Sequence, residues 1–407
     1  MNSLPLVSFC IPTYNRSRYL ESLLNSLAVS LADFPYPFEV FVADNASSDE
    51  TPQTLESFSA LLPLRSIRHA SNLGGAANWQ YLMQHALGTY VVYVADDDGL
   101  LTPAVAEVIA VLEANPEIGI AYAPWRLFDL VEEQDLGQFY SQDQDVLIGR
   151  GQHKHLLDTL LKHAIFPEIY ICRRELLLEV MPRVSEQAFY AFVHAAEYLE
   201  LAAVLFMREP FYVSITNYFA DHQRIQAGTA EVESAWDRYR GGLDYVLGRA
   251  SEQLDEAERE AFSLRIQGII ARRIAVAVRM RVAHGRDPVD TYYLAYRLKA
   301  MGGQSLLPLS MAQLRKQAVL GFLLNDVELN RGMSELVCWG DLDADLRVLM
   351  EGQAKLALRF VGANAKPERI GAQSLLFAVG AVKRADLPAD CPARFVHESS
   401  LLRKFAA

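Results

Sequence analysis

Residues 90–99, YVVYVADDDG, limit what this 407-residue chain can fold into more than any other stretch. Tyr90, Val91, Val92, Tyr93 and Val94 favour extended structure and follow one another without alternation. That is the pattern of a strand buried on both faces of a parallel sheet. The run ends in three consecutive carboxylates, Asp96, Asp97 and Asp98, and then Gly99. Three aspartates within about 7 Å of chain repel one another unless positive charge sits among them. In an open α/β sheet, the carboxyl end of a strand is also where ligands bind. The expectation is a divalent cation at the sheet edge, holding a phosphate ligand. The plain alternative is a solvated acidic turn.

The flanking sequence repeats one unit. Leu6 to Ile11 is a strand, and Leu20, Leu23, Leu24, Leu27 and Leu31 mark one face of a following helix. Phe38 to Ala43 is a strand, followed by Ser47-Ser48-Asp49 and a helix carrying Leu55, Phe58 and Leu62. A weaker strand near Leu64 to Arg68 precedes a helix opened by Asn72-Leu73-Gly74-Gly75. After the central strand comes a helix from Pro103 to about Ala114. This β-α alternation calls for a doubly wound, mostly parallel α/β sheet. Beyond it, Ile118 to Trp125 is expected as a strand, 129–151 as a loop, and 189–207 as one helix holding Glu197. Phe211 to Ile215 is the last expected strand of a domain spanning 1–228. From 229 to 407 the pattern is mainly helical (236–249, 252–282, 288–301 and 311–324), with a short mixed segment after Asp343.

Composition narrows the function. A formal net charge of −12 argues against a nucleic-acid partner. Cys10, Cys172, Cys338 and Cys391 lie far apart, with no zinc spacing, as in a reducing compartment. No signal peptide or membrane span is legible, so the chain is expected to be cytoplasmic. Peripheral contact with the inner face of a membrane stays open.

Four strand ends bring polar residues to one edge. The first offers Pro12, Thr13, Tyr14, Asn15 and Arg16; the second Asp44, Asn45 and Asp49; the third Asn72, Gly74, Gly75 and Asn78; the fourth the three aspartates. IPTYNR, VADNASSDET, NLGGAAN and VADDDGLL, in this order and spacing, resemble a family 2 nucleotide-sugar glycosyltransferase with the GT-A fold. The resemblance is strong over residues 4–115, weaker over 116–225, and nearest to enzymes that build bacterial surface polysaccharides or decorate proteins. It implies a nucleotide-diphosphate sugar donor and a glycan, lipid-linked or protein acceptor. By that resemblance Asp44 contacts the base, Asp96 lies near the ribose and Asp98 binds Mn²⁺ or Mg²⁺. The family more often shows DxDD, whereas here Ala95 precedes three aspartates, so Asp97 and Asp98 compete as main ligand.

Inverting transfer also needs a carboxylate to take the acceptor's proton. AAEYLELAAVL resembles the family's ED-type motif, with Glu197 where aspartate is usual, Ala196 where an acid is usual, and Glu200 as the alternative base. His222 sits where many relatives carry a histidine; an imidazole there would complete the metal shell or touch the diphosphate, and the plain alternative is a polar loop histidine with no ligand. Arg224 would help neutralise phosphate, and Trp125 and Arg126 either line an acceptor pocket or belong to the core. The helical half is expected to bind acceptor, another protein or a second copy. Two rivals stand beside this reading. A nucleotidyltransferase would open on a glycine- and arginine-rich phosphate loop that PTYNRSRY lacks, and a non-catalytic module would be expected to have lost the aspartates.

Overall fold

The computed structural model describes residues 4–180, 185–221, 232–233 and 236–405. Strand β1 (Val7–Thr13), helix α1 (Ser17–Ser30), β2 (Phe38–Asp44), α2 (Thr51–Phe58), β3 (Leu64–Arg68), α3 (Gly75–His85) and β4 (Tyr90–Tyr93) follow the expected alternation. The reason is the one legible in the residues. Leu20, Leu23, Leu24 and Leu27 bury one face of α1, while Tyr90, Val91 and Val92 are buried whichever face of the sheet they point to.

β1, β2, β3 and β4 pair in parallel, in the spatial order β3-β2-β1-β4. The chain therefore leaves β1 on one side to form β2 and returns on its other side as β4. That reversal opens a crevice beyond the carboxyl ends of β1 and β4, the place where open α/β sheets bind ligands. The register puts Cys10 opposite Tyr93 and Thr13 opposite Asp44, so the end of β1 runs alongside the acidic turn.

After Asp98 the chain changes sheets. β5 (Gly99–Leu100), α4 (Thr102–Ala114), β6 (Ile118–Tyr122), β7 (Trp125–Asp129), β8 (Gln134–Gln138) and β9 (Val146–Ile148) come next. They are followed by α5 (His153–Lys162), β10 (Tyr170–Arg173), α6 (Arg174–Val180), α7 (Tyr190–Leu201), β11 (Ala203–Phe206) and β12 (Tyr212–Asn217). β10, β6, β11 and β9 complete an eight-stranded sheet, with β10 antiparallel to both its neighbours. β5, β12, β7 and β8 form a separate four-stranded sheet.

Three expectations need correcting here. Residues 118–125 are not one strand: Ile118–Tyr122 joins the large sheet and Trp125–Asp129 the small one. Residues 129–151 are not all loop, since β8 pairs with β7 and β9 with β11. The helix expected to reach 207 stops at Leu201, where Ala202 turns extended at φ −151° and Val204 and Leu205 pair with β6. A short apolar run fits a buried strand as well as a helix, and sheet pairing decided the matter.

Close backbone approach fixes Gly88, beside β1. A Cβ on Gly88 would lie 2.6 Å from the Ser8 amide nitrogen and 2.8 Å from the Val7 carbonyl carbon. The Gly88 N–H donates to Ser8 Oγ, whose own proton goes to the buried Glu39 carboxylate at 2.6 Å. Gly88→Ala is therefore expected to cost about 1–3 kcal/mol in urea unfolding, since backbone has to shift; an unchanged midpoint would contradict that contact.

The chain divides into two compact units, Met1–Thr229 with Asp237–Ile269, and Ala230–Trp236 with Ile270–Ala407. The second is rich in helix: the later part of Glu256–Ala283, then Pro288–Ala300 and Met311–Asn325. The mixed segment inside it is a parallel sheet. β13 (Glu335–Trp339), β14 (Ala357–Val361), β15 (Ser374–Ala378) and β16 (Arg394–His397) stand in the order β14-β13-β15-β16. Val337, Trp339, Leu376, Ala378, Val382 and Leu387 form its core. No described helix is long and apolar enough to cross a membrane.

Candidate active site

A cleft of about 570 Å³ opens at the carboxyl ends of β1 and β4. β1 leads into Pro12, Thr13, Tyr14 and Arg16 on one wall, and the loop before α3 gives Asn72, Gly74, Gly75 and Asn78 on another. Asn45 lies between them, and Tyr93, Ala95, Asp96, Asp97 and Asp98 make the floor, with Ser214 of β12 beside it.

Each of these positions has a local cause. Asn45 fastens the α3 loop: its Nδ2 donates to Asn72 Oδ1 at 2.9 Å, and its Oδ1 accepts the Leu73 N–H at 2.8 Å. Asn78 is buried, donating to the Ala43 carbonyl and pairing with His69 Nε2. Gly74 has φ +85°, a conformation that suits glycine. A Cβ on Gly75 would meet nothing within 4 Å, so no neighbour in the protein requires glycine there. The side-chain space it leaves adjoins the first N–H groups of α3, which have no partner within the helix.

Asp44 and Asn15 do not line the cleft; they shape it. Asp44 is fully buried, with Oδ1 accepting the Ser47 N–H at 2.8 Å and Oδ2 lying 3.4 Å from Arg68 Nε. Asn15, at φ +52°, accepts the Ser48 N–H on Oδ1 and donates its own N–H to Ser47 Oγ. Asp49 accepts the Ser17 N–H at 3.0 Å, tying the start of α1 to the loop after β2.

The acidic turn is where the chain passes from β4 in one sheet to β5 in the other. Asp96 is buried: Oδ2 accepts from Thr13 Oγ1 at 2.7 Å, and Oδ1 accepts from Arg16 Nη1 at 3.1 Å. The same Arg16 nitrogen lies 2.5 Å from Asp97 Oδ2. Asp98 turns to β12, where Tyr212 donates its hydroxyl proton to Oδ2 and the Ile215 N–H reaches Oδ1, both at 2.9 Å. The Tyr212 oxygen also accepts the Ala95 N–H at 3.1 Å, so one buried hydroxyl clasps both ends of the turn.

Part of the counter-charge expected from a cation is thus supplied by Arg16. It does not suffice. Burial, and then the neighbouring charge of Asp97, push the Asp96 carboxyl up to about 7 against the pull of Arg16 and Thr13. Two carboxylates share one guanidinium nitrogen at the floor of an open cleft, and the oxygen donors of that turn fit a divalent cation. Among the described residues, no three His, Cys, Asp or Glu side chains are gathered around one point.

The expected base stands elsewhere. Glu197, on α7, accepts the hydroxyl proton of Tyr245 from the helix Trp236–Arg249 and does not line the cleft. Glu200 is held by Arg249 and by His153. Between them and α3 lies His194, stacked on Trp79 at 5.9 Å; burial lowers its pKa to about 4, so the ring is neutral. Trp125 is buried and stacks on Phe139 at 4.5 Å, which makes it core of the small sheet, while Arg126 pairs with Asp135. His222 and Arg224 lie outside the described residues. Tyr93, Ala95, Tyr212 and Ser214 were not foreseen. A tyrosine inside a strand carries no signal of its own until pairing brings it against Asp98.

The sequence model of Glycosyl transferase family 2 matches residues 8–178, which hold β1 to β4 and every residue of the cleft except Ser214. Residues 8–178 belong to that family. The family 2 domain is similar to the abequosyltransferase RfbV of Salmonella typhimurium, at 32% identity over 144 residues, covering 35% of this chain and 43% of RfbV. It is also similar to the poly(ribitol-phosphate) beta-N-acetylglucosaminyltransferase TarS of Staphylococcus aureus, at 39% identity over 93 residues, 22% of this chain and 16% of TarS. Both alignments span less than half of the relative's length. The crystal structure of S. aureus TarS 1-349 superimposes with a TM-score of 0.46 at 17% identity, over 77% of this chain and 90% of that one.

Proposed function

We propose that this protein is a metal-dependent, inverting glycosyltransferase that moves a sugar from a nucleoside-diphosphate donor to an acceptor hydroxyl. The observation that carries the reading is the cleft itself. It joins a buried carboxylate short of counter-charge to glycine-opened backbone N–H groups, at the point where the strand order reverses. Membership of residues 8–178 in family 2 supports the same class of reaction.

In this reading the N–H groups at the start of α3 and the Arg16 guanidinium face the diphosphate, and Asp44 fixes the loop beside the base. Asp96 and Asp98 would hold the Mn²⁺ or Mg²⁺, which, when bound, stabilises charge on the departing diphosphate. The acceptor oxygen forms a bond to the anomeric carbon as the bond from that carbon to the phosphate oxygen breaks. The hydroxyl proton passes to a carboxylate, and Glu197 is proposed for that part. To reach the acceptor its contact with Tyr245 has to open. Sugar and base are left unassigned, and the acceptor is proposed only as a glycan, a lipid-linked saccharide or a protein.

Tyr212→Phe tests the link between the turn and this chemistry. The change deletes one oxygen and leaves the ring in place, so both Asp98 and the Ala95 N–H lose a partner. Partners of ligating carboxylates typically matter about 10–100-fold for metal affinity. The expected result is Mn²⁺ affinity lowered about tenfold or more in the presence of a bound nucleotide, with the fold retained. Unaltered affinity would mean that Asp98 is not a metal ligand.

A further inference from the structure

The side chains around Asp96 leave one approach to its charge. Thr13 occupies Oδ2, and the Arg16 Nη1 occupies Oδ1 while bridging to Asp97. Arg16 is also a cleft residue, its side chain 29% exposed, at the point where β1 turns into α1. Its carbonyl accepts the Tyr19 and Leu20 N–H groups, and its side-chain tip borders the open cleft.

Resting on the donor-site reading above, we propose that Arg16 is the resident counter-ion of the acidic turn, a positioning residue that couples metal binding to nucleotide binding. A divalent cation coming to Asp96 Oδ1 must displace the guanidinium. Displaced alone, the guanidinium loses two charge-assisted hydrogen bonds, so the cation by itself binds weakly. A diphosphate in the cleft offers the guanidinium a new anionic partner of matching fork geometry. The cation and the nucleoside diphosphate therefore bind cooperatively, and Arg16 alternates between aspartates and phosphate.

Linkage makes this quantitative. If UDP tightens Mn²⁺ binding by some factor, Mn²⁺ tightens UDP binding by the same factor, and couplings of this kind are typically about 5–150-fold. Replacing the guanidinium by a neutral amide removes the competitor and, with it, the part of the coupling that runs through Arg16; the direct attraction between cation and diphosphate remains. The test is Mn²⁺ titration followed by electron paramagnetic resonance on the full chain, with and without UDP, dTDP or GDP. It compares wild type with Arg16→Gln and Arg16→Lys, each checked for unchanged Tm.

The expected result has three parts. Arg16→Gln binds Mn²⁺ alone about tenfold more tightly than wild type, its nucleotide-dependent enhancement is smaller than that of wild type by a similar factor, and Arg16→Lys keeps the weak metal binding of wild type. If Arg16→Gln leaves metal affinity unchanged or weaker while wild type binds metal and nucleotide together, the counter-ion role is overturned and the donor site stands. If wild type binds neither Mn²⁺ nor any of the three nucleotides, donor site and counter-ion role fall together.

Discussion

Asp96→Asn is expected to make the ligand-free protein more stable and, in the same molecule, to remove the proposed transferase activity. The buried Asp96 carboxyl has its pKa raised to about 7, from an ordinary value near 4. The sign follows from proton uptake: between those two values the folded state binds more protons than the unfolded one, so stability falls as pH rises from about 4 to about 7. Above pH 7 the full cost is present, on the order of 3–4 kcal/mol. An amide of the same shape carries no charge. Its oxygen can accept from Arg16 and its NH₂ group can face Thr13 Oγ1, so the local packing survives. Thermal unfolding at pH 8 without metal is expected to show a higher Tm for Asp96→Asn, with the gain shrinking towards pH 4. Turnover is expected to fall at least about 100-fold, since the proposed ligand to the leaving group's counter-ion would be gone. A variant that is less stable at pH 8 would show that Asp96 is a structural acid, satisfied by Arg16 and Thr13.

The second large effect belongs to Glu197→Gln. The glutamine carbonyl can still accept the Tyr245 hydroxyl, so the helix contact survives the change. Loss of a general base typically costs about 10²–10⁴ in rate. The expected outcome is a kcat lowered within that range, donor KM nearly unchanged, and Tm unchanged. A variant with wild-type kcat would assign Glu197 to helix packing alone. The reduced rate of a true base variant should also lose the acidic limb of its pH profile.

The parts of the molecule that the sequence announces are those whose cause is local. The leucines of α1 at helical spacing and the unbroken YVVYV run each commit to one conformation on their own. Once four strands alternate with helices, their ends must share one edge, which is why twelve of the residues named from the sequence line one cleft. What escapes is settled by partners distant in the chain. Residues 203–206 are strand because β6 and β9 receive them. ELVCW at 335–339 is a central strand because β14 and β15 flank it. Asp98 faces away from Arg16 because β12, 114 residues later, offers Tyr212. The charge balance of the turn was legible as a need, but its answer was not. The sequence places Arg16 at the ligand edge, and in the structure its guanidinium pairs with Asp96 and Asp97.

The most direct measurement is calorimetric titration of UDP, dTDP and GDP into the purified protein, with and without Mn²⁺, repeated with Asp98→Ala. Binding of one nucleotide that requires Mn²⁺ in the wild type and disappears in Asp98→Ala is the expected result. A folded wild-type protein that binds none of the three, with or without the cation, would contradict the donor site and leave a family 2 fold used for something other than sugar transfer.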